Sequence, residues 1–296
     1  MPQNGAVKAI SGEGAASARR AASPSRQILT LFGEYWWNVP EQIPSAAIVA
    51  ALGDTGVTSA AARATLSRLT RAGILVNGRV GRRTVYGLSP RGVGIVEAQI
   101  IWLDTFGIES QPWDGTWSVI AFSVPEHRRS TRHQVRSRLR WLGYTSLHDG
   151  LWISATDSML TAMDELRDLG AAQITALRTS DLTTHPGRPQ DAWELSEVVA
   201  LYRELLEQMS RPLPDNGAAA LRERMEIGLA WQRFRVEDPG LPEELLPDNW
   251  PRCSVRAQFV ARHEALAPAA EARVRQHVAA VDEDLATLVT QRRFRD

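Results

Sequence analysis

Residues 55–96 read TGVTSAAARATLSRLTRAGILVNGRVGRRTVYGLSPRGVGIV, with Arg63, Arg68, Arg71, Arg79, Arg82, Arg83 and Arg91 and not one Asp or Glu. The whole chain is balanced, with 34 Lys and Arg against 34 Asp and Glu, so the positive charge is segregated here. The local pattern predicts a helix, a sharp turn, a second helix and a hairpin. Thr58 or Ser59 caps the second of these helices, on which Ala62, Leu66, Leu69 and Gly73 share a narrow stripe at about 100° per residue. Arg63, Ser67, Arg68 and Arg71 project away from that stripe. After Gly73, two β-like runs flank Gly78-Arg79-Val80-Gly81-Arg82-Arg83, a hairpin with arginines at its tip. The combination predicts a winged helix-turn-helix, with positive charge on a shape that fits a DNA groove.

Toward the N-terminus, Ile28, Leu31 and Phe32 fall at helical spacing before a break at Pro40 and Pro44. Ser45 is the expected cap of the next helix, which buries Ile48, Ala51 and Leu52, and Gly53-Asp54-Thr55-Gly56 supplies the turn. Residues 1–24 are rich in Ala, Ser and Gly with Lys8, Arg19 and Arg20, which predicts a disordered arm. On the other side, an apolar-periodic helix from Gly92 to about Thr105 leads away through Ile95, Ala98, Ile101 and Trp102 and is expected to connect domains.

A second unit opens near Trp113-Asp114-Gly115. Trp117 to Val124 reads as a strand, Ser130 to Leu142 as a helix, and Tyr144 to Leu147 with Leu151 to Ser154 as a hairpin. Asp157 is the expected cap of a helix through Leu169 with Leu160, Met163 and Leu166 inward, followed by a strand from Gln173 to Arg178. The order βαββαβ is that of a ferredoxin-like sandwich. From Ala192 onward the chain is helical apart from a proline-rich interruption at Asp238 to Pro251. The expected class is thus α+β and multidomain: an arm at 1–24, a winged helix-turn-helix at 25–90, a linker helix at 91–112, a ferredoxin-like domain at 113–185 and a helical domain at 190–296.

Composition narrows the function classes. The 296 residues are 44% hydrophobic, enough to fill two or three cores, and no apolar run approaches the roughly 20 residues of a membrane span. A cytoplasmic protein without a membrane partner is expected. Cys253 is the single cysteine, read as packing, and six scattered histidines show no paired zinc spacing, so no metal is expected. Lys8 is the only lysine, a bias that makes total arginine content a poor guide and local segregation a better one. No Gly-x-Ser-x-Gly elbow or glycine-rich phosphate loop is present, and Cys253 has no nearby histidine. No catalytic residues, and no enzyme, are expected.

The winged-helix segment, the words WDGTWSVIAFSVPE and LRWLGYTSLHDGLWIS, and the C-terminal RFRVEDPGLPEELLPDNWP together resemble the PaaX-type transcriptional repressors of phenylacetic acid catabolism, over roughly residues 25–290. The resemblance implies a homodimeric repressor with no resident cofactor, a middle domain similar to a small CRISPR-associated nuclease, and release from the operator by an aryl- or acyl-CoA thioester such as phenylacetyl-CoA. In that nuclease a metal-binding Asp lies near the end of the first strand. Here the region reads Ala121-Phe122-Ser123-Val124-Pro125, with Asp114 before the strand and Glu126 after it, a poor cage for a hard cation. A metal-dependent nuclease and a ligand-independent architectural DNA-binding protein are the alternatives weighed.

Ser59, Ala60, Arg63, Ala64 and Ser67 are the candidate base-edge contacts, with Arg63 suited to guanine, and Thr58 before them is a further candidate DNA-binding residue. Arg68 and Arg71 are candidate phosphate contacts, and Arg79, Arg82 and Arg83 candidate contacts to phosphates or the minor groove, of a double-stranded operator, an imperfect palindrome for a dimer. For a small-molecule inducer the candidates are Arg128 and Arg132 in the run His127, Arg128, Arg129, Arg132, His133, Arg136, Arg138 and Arg140, and Trp231, Arg233, Phe234 and Arg235 farther on. Each competes with a structural alternative: a solvated helix face for the run, and for the second group a cap on the helical domain fixed by Pro239, Pro242, Pro247 and Pro251. Trp141 is read as core.

Overall fold

Ser23 opens the first helix of the computed structural model, which describes residues 23–108, 112–125 and 127–294. Most of the arm expected at 1–24, and Glu126, lie outside the described residues. The chain divides into two units: Met1–Phe106 with Leu205–Gln232 and Ser254–Asp296, and Gly107–Glu204 with Arg233–Cys253.

Helix α1 (Pro24–Tyr35) begins with proline, which suits a first turn lacking a carbonyl partner, and the Ser23 hydroxyl accepts from the Arg26 amide at 3.4 Å. Its Ile28, Leu31, Phe32 and Tyr35 are buried. Strand β1 (Ile43–Pro44) leads directly into α2 (Ser45–Asp54), and α3 (Ser59–Arg71) follows a four-residue turn. Pro44, rather than Ser45, holds the cap position of α2, and no side chain accepts there. Thr58 caps α3 as expected, its hydroxyl accepting from Ala61 N at 3.2 Å. Ala62, Leu66 and Leu69 are the buried stripe.

Strands β2 (Leu75–Val80) and β3 (Arg83–Leu88) pair antiparallel with Val80 opposite Arg83, and Gly81 at the tip has φ +60°, where a Cβ is strained. β1 adds to the outer edge of β3, giving the order β1-β3-β2. Helix α4 (Pro90–Thr105) is capped by Ser89, whose hydroxyl accepts from Gly92 N at 3.0 Å and reaches Gly73 O at 2.7 Å. Its buried face is Gly92, Ile95, Val96, Ile100 and Leu103, so of the apolar positions named from the sequence Ile95 is buried and Ile101 is 63% exposed.

In the second unit, β4 (Trp117–Ser123), α5 (Arg129–Trp141), β5 (Thr145–His148), β6 (Leu151–Ser154), α6 (Met159–Asp168) and β7 (Gln173–Thr179) follow in the expected sequence. The sheet order is β5-β6-β4-β7 with every neighbouring pair antiparallel. Alternation along the strands sends Ile120 and Trp152 to one face, where they pack with Val135 and Leu139 of α5 and Ala162 and Leu166 of α6. Three expectations fail here. Asp157 does not cap α6, whose cap position is Ser158, and Leu160 is exposed. Trp141 is also exposed, with the Arg138 guanidinium 4.0 Å from its ring centre.

A 3-10 turn (Pro189–Ala192) and α7 (Leu195–Met209) precede α8 (Gly217–Glu237), a second 3-10 turn (Glu243–Leu245), α9 (Arg252–Ala279) and the short α10 (Glu283–Ala286). The proline-rich segment acquires a physical role: Leu241 and Leu245 cover Trp117, Val119 and Ile153 on the other face of the four-stranded sheet. It is held by Asp238, which is buried and accepts from Tyr202 Oη at 2.6 Å and from Arg252 Nη2 at 2.6 Å. Cys253 is exposed rather than packed.

Candidate nucleic-acid interface

The outward side of α3 is set by its buried side. With Ala62, Thr65, Leu66 and Leu69 turned into the core, Ser59, Ala60, Arg63, Ala64, Ser67, Arg68 and Arg71 are all exposed, as is Thr58 before them. The small residues cluster at the N-terminal half, where the backbone can approach a partner closely. That half also carries the helix's positive end, with no acid in the first turn to neutralise it. Arg68 and Arg71 lie in the last turn, where they complement the negative end. Arg68 Nη2 donates to Ser25 Oγ at 2.8 Å, which orients it along the surface.

The hairpin brings Arg79, Arg82 and Arg83 to one end of the same unit, all three exposed. Among the described residues, Arg63, Arg71, Arg79 and Arg82 have no carboxylate within ion-pair range, whereas Arg83 Nη1 lies 3.4 Å from Asp282 Oδ2. Arg91 donates to Ala72 O at 3.0 Å, tying the start of α4 to the end of α3.

The acid closest in sequence to α3 is spent internally. Asp54, last residue of α2, takes Arg273 Nε at 2.7 Å and His277 Nε2 at 2.7 Å, both from α9. Burial pushes its carboxyl up, but the hydrogen bonds from Arg273 and His277 and their charges prevail, so its pKa lies below the ordinary value. Arg222 of α8 donates to the Asp54 carbonyl at 2.8 Å. The turn ahead of α3 is therefore fastened from two sides.

Deeper in the same unit, Glu34 accepts from Arg224 Nη2 at 2.7 Å and lies 3.4 Å from Arg292 Nη2, all three buried. Burial pushes the Glu34 carboxyl up, while His263, Arg292 and Arg224 outweigh it and bring the pKa to about 2. His263 is held well below the usual histidine range by burial and by Arg224, so it can add its charge only in acid, and at neutral pH the two guanidinium groups are the countercharges. Arg292 also donates to Asp104 Oδ1 at 3.0 Å, and its amide donates to Glu34 O at 2.8 Å. Sequence reading missed this network because its members are far apart in the chain and each looks like an ordinary charged helical residue.

The candidate inducer residues fare differently. Arg128 is exposed, and Arg132 Nη2 donates to Val124 O at 3.0 Å. Trp231 is fully buried and stacked on Phe259, with ring centres 4.9 Å apart, and Phe234 is buried against Tyr202 at 3.9 Å. Those two rings each have a face covered by another protein ring, which suits the structural alternative given for this stretch; Arg233 is half-buried and Arg235 exposed. Among the described residues, no group of three or more His, Cys, Asp or Glu could hold a metal ion. None of the described helices is long and apolar enough to cross a membrane.

Comparison with known proteins defines the class as a transcriptional regulator. The chain belongs to the PaaX-type regulators: residues 23–92 match the family model for a PaaX-like protein, residues 110–192 that for the PaaX protein central Cas2-like domain, and residues 193–276 that for the PaaX-like protein C-terminal domain. It is 26% identical over 260 residues to the transcriptional repressor PaaX of Escherichia coli strain K12, spanning 82% of this chain and 80% of that protein. In fold it is similar to an uncharacterized protein from Mycobacterium tuberculosis, with a TM-score of 0.57 and 22% identity over 83% of this chain and 95% of the other.

Proposed function

We propose that the chain is a DNA-binding transcriptional repressor that reads an operator with α3 and grips phosphates with the β2–β3 hairpin. The observation that carries this reading is that residues 55–96 contain no acid and that their exposed Arg63, Arg71, Arg79 and Arg82 lack carboxylate partners among the described residues. The order α2, turn, α3, hairpin supports assignment of residues 25–90 as a winged helix-turn-helix. The antiparallel order β5-β6-β4-β7 supports a ferredoxin-like reading of residues 113–185, with a helical domain at 190–296.

A homodimer would place two copies of α3 in successive major grooves of an imperfect palindrome. An aryl- or acyl-CoA thioester is the effector class to test, and it releases DNA only if it binds two dimer arrangements with different affinity. Its site has to be sought away from the buried faces of Trp231 and Phe234. The deciding experiment is a mobility-shift assay on the protein's own upstream DNA, repeated with a panel of CoA thioesters while tryptophan fluorescence is followed. Specific retardation relieved by a thioester supports the full reading. Equal retardation of random DNA, untouched by any thioester, supports an architectural protein instead.

A further inference from the structure

Helix α5 carries RSTRHQVRSRLRW, preceded by His127 and Arg128, and contains no Asp or Glu. A helix face that is merely solvated ordinarily finds acids on neighbouring elements. Here two of its arginines do: Arg138 pairs with Glu165, and Arg136 Nη2 lies 3.8 Å from Asp149 Oδ1. Arg128, Arg129, Arg132 and Arg140 find none among the described residues, and Arg128 and Arg129 stand at the end of the helix whose dipole is already positive. That leaves the positive end of the helix without a countercharge among the described residues and open to an anion from outside.

The positions also form a line. With Val135 and Leu139 turned into the core, Arg129, His133, Arg136 and Arg140 fall within about 60° of one another at ~100° per residue. Arg129, His133 and Arg140 are exposed, and Arg136 is half-buried. From Arg129 to Arg140 the line is about 16 Å long at ~1.5 Å per residue. A small phosphate ester is held by groups that converge on it, whereas these groups are strung along a convex helix. At ~3.4 Å of axis per phosphate on each strand, the line runs beside roughly four or five phosphates of a duplex.

We infer that the Arg129–His133–Arg136–Arg140 face of α5 is a second, sequence-independent contact for the phosphate backbone of double-stranded DNA. This rests on the DNA-binding reading above. The face adds affinity and salt dependence but no base preference, because it meets phosphates alone.

The test uses the full-length protein and a fluorescein-labelled duplex from its own upstream region, with anisotropy titrations between about 0.05 and 0.3 M KCl. The double variant Arg129→Ala/Arg140→Ala should lose about tenfold in affinity near 0.15 M salt and lower the log–log salt slope by about 2. It should lose as much on random duplex as on the upstream one. Arg129→Lys/Arg140→Lys should keep the slope; loss of slope in the lysine variant would assign the effect to structure and overturn the inference. An unchanged slope in the alanine variant, while Arg82→Ala still weakens binding, would overturn the α5 contact and leave the DNA-binding reading intact. Failure of the unmodified protein to bind any duplex would overturn both. An effect on single-stranded RNA without one on duplex DNA would overturn the inference as well.

Discussion

Asp54 and Arg273 form a two-pronged ion pair, Nε to Oδ2 at 2.7 Å and Nη2 to Oδ1 at 3.1 Å, that joins the end of α2 to α9. The pair sits immediately before the turn that aims α3, and His277 shares the same oxygen. Arg273→Ala removes both prongs and should cost about 1–3 kcal/mol in urea unfolding at pH 7. Operator affinity should fall by more than random-duplex affinity, since orientation of α3 matters only for base reading. Because the Asp54 pKa is depressed, its stabilisation is present above about pH 4 and lost as pH falls through the lower folded-state value. An Asp54→Asn variant should lack that acid-side loss.

Glu34 makes a stronger case of the same kind. Removing its charge in Glu34→Gln leaves Arg224 and Arg292 buried with one carboxylate fewer, which should cost about 3–5 kcal/mol in chemical unfolding. A carboxyl lowered from 4.5 to about 2 stabilises the fold by about 3 kcal/mol above pH 4.5, and this is lost between pH 4.5 and 2. Unfolding midpoints measured across that window should fall in the native protein and stay flatter in Glu34→Gln. Parallel curves would remove Glu34 from the account.

The contrast between these residues and α3 shows what the sequence discloses. The cap Thr58, the stripe Ala62-Leu66-Leu69 and the acid-free outward face are all contained within a few turns, so helical period and charge reveal them together. Glu34 meets Arg224 across 190 residues of separation, and no local pattern marks the pair. Strand β1 has only two residues, one of them proline, and gives no alternation to detect. The buried face of α4 is hard to read from sequence because GVGIVEAQIIWL is apolar nearly all round, which leaves the 3.6-residue period without a polar side to fix its phase. In α6 the small Ala162 supports the core in place of the large Leu160, a choice that depends on how closely the helix approaches the sheet.

Arg63 and Arg82 should separate by the kind of DNA they discriminate. A base contact by Arg63 is worth about 1–3 kcal/mol on the correct site, so Arg63→Ala should bring operator affinity toward the random-duplex value. Arg82, beside the hairpin tip, meets phosphates in this reading, so Arg82→Ala should weaken both duplexes alike and reduce the salt slope by about 1. Competition anisotropy with the two duplexes measures both quantities. Equal loss on both duplexes for Arg63→Ala would contradict base reading by α3.

Two glycines in α4 test how tightly the hairpin is joined to the helix behind it. A Cβ on Gly92 would lie 2.2 Å from the carbonyl oxygen of Ile74, a backbone atom that itself accepts from Ser89 at the root of the hairpin. That atom has no rotamer by which to yield, so Gly92→Ala must part α4 from β2 and should cost about 2–3 kcal/mol. Gly94, one turn position away on the same helix, has open space where its Cβ would stand. Gly94→Ala should therefore stabilise by roughly 0.5–1 kcal/mol through helix propensity alone. Thermal unfolding of the pair isolates the contact from the composition change. Should both alanines prove neutral, the close approach of α4 to Ile74 does not hold the hairpin in place.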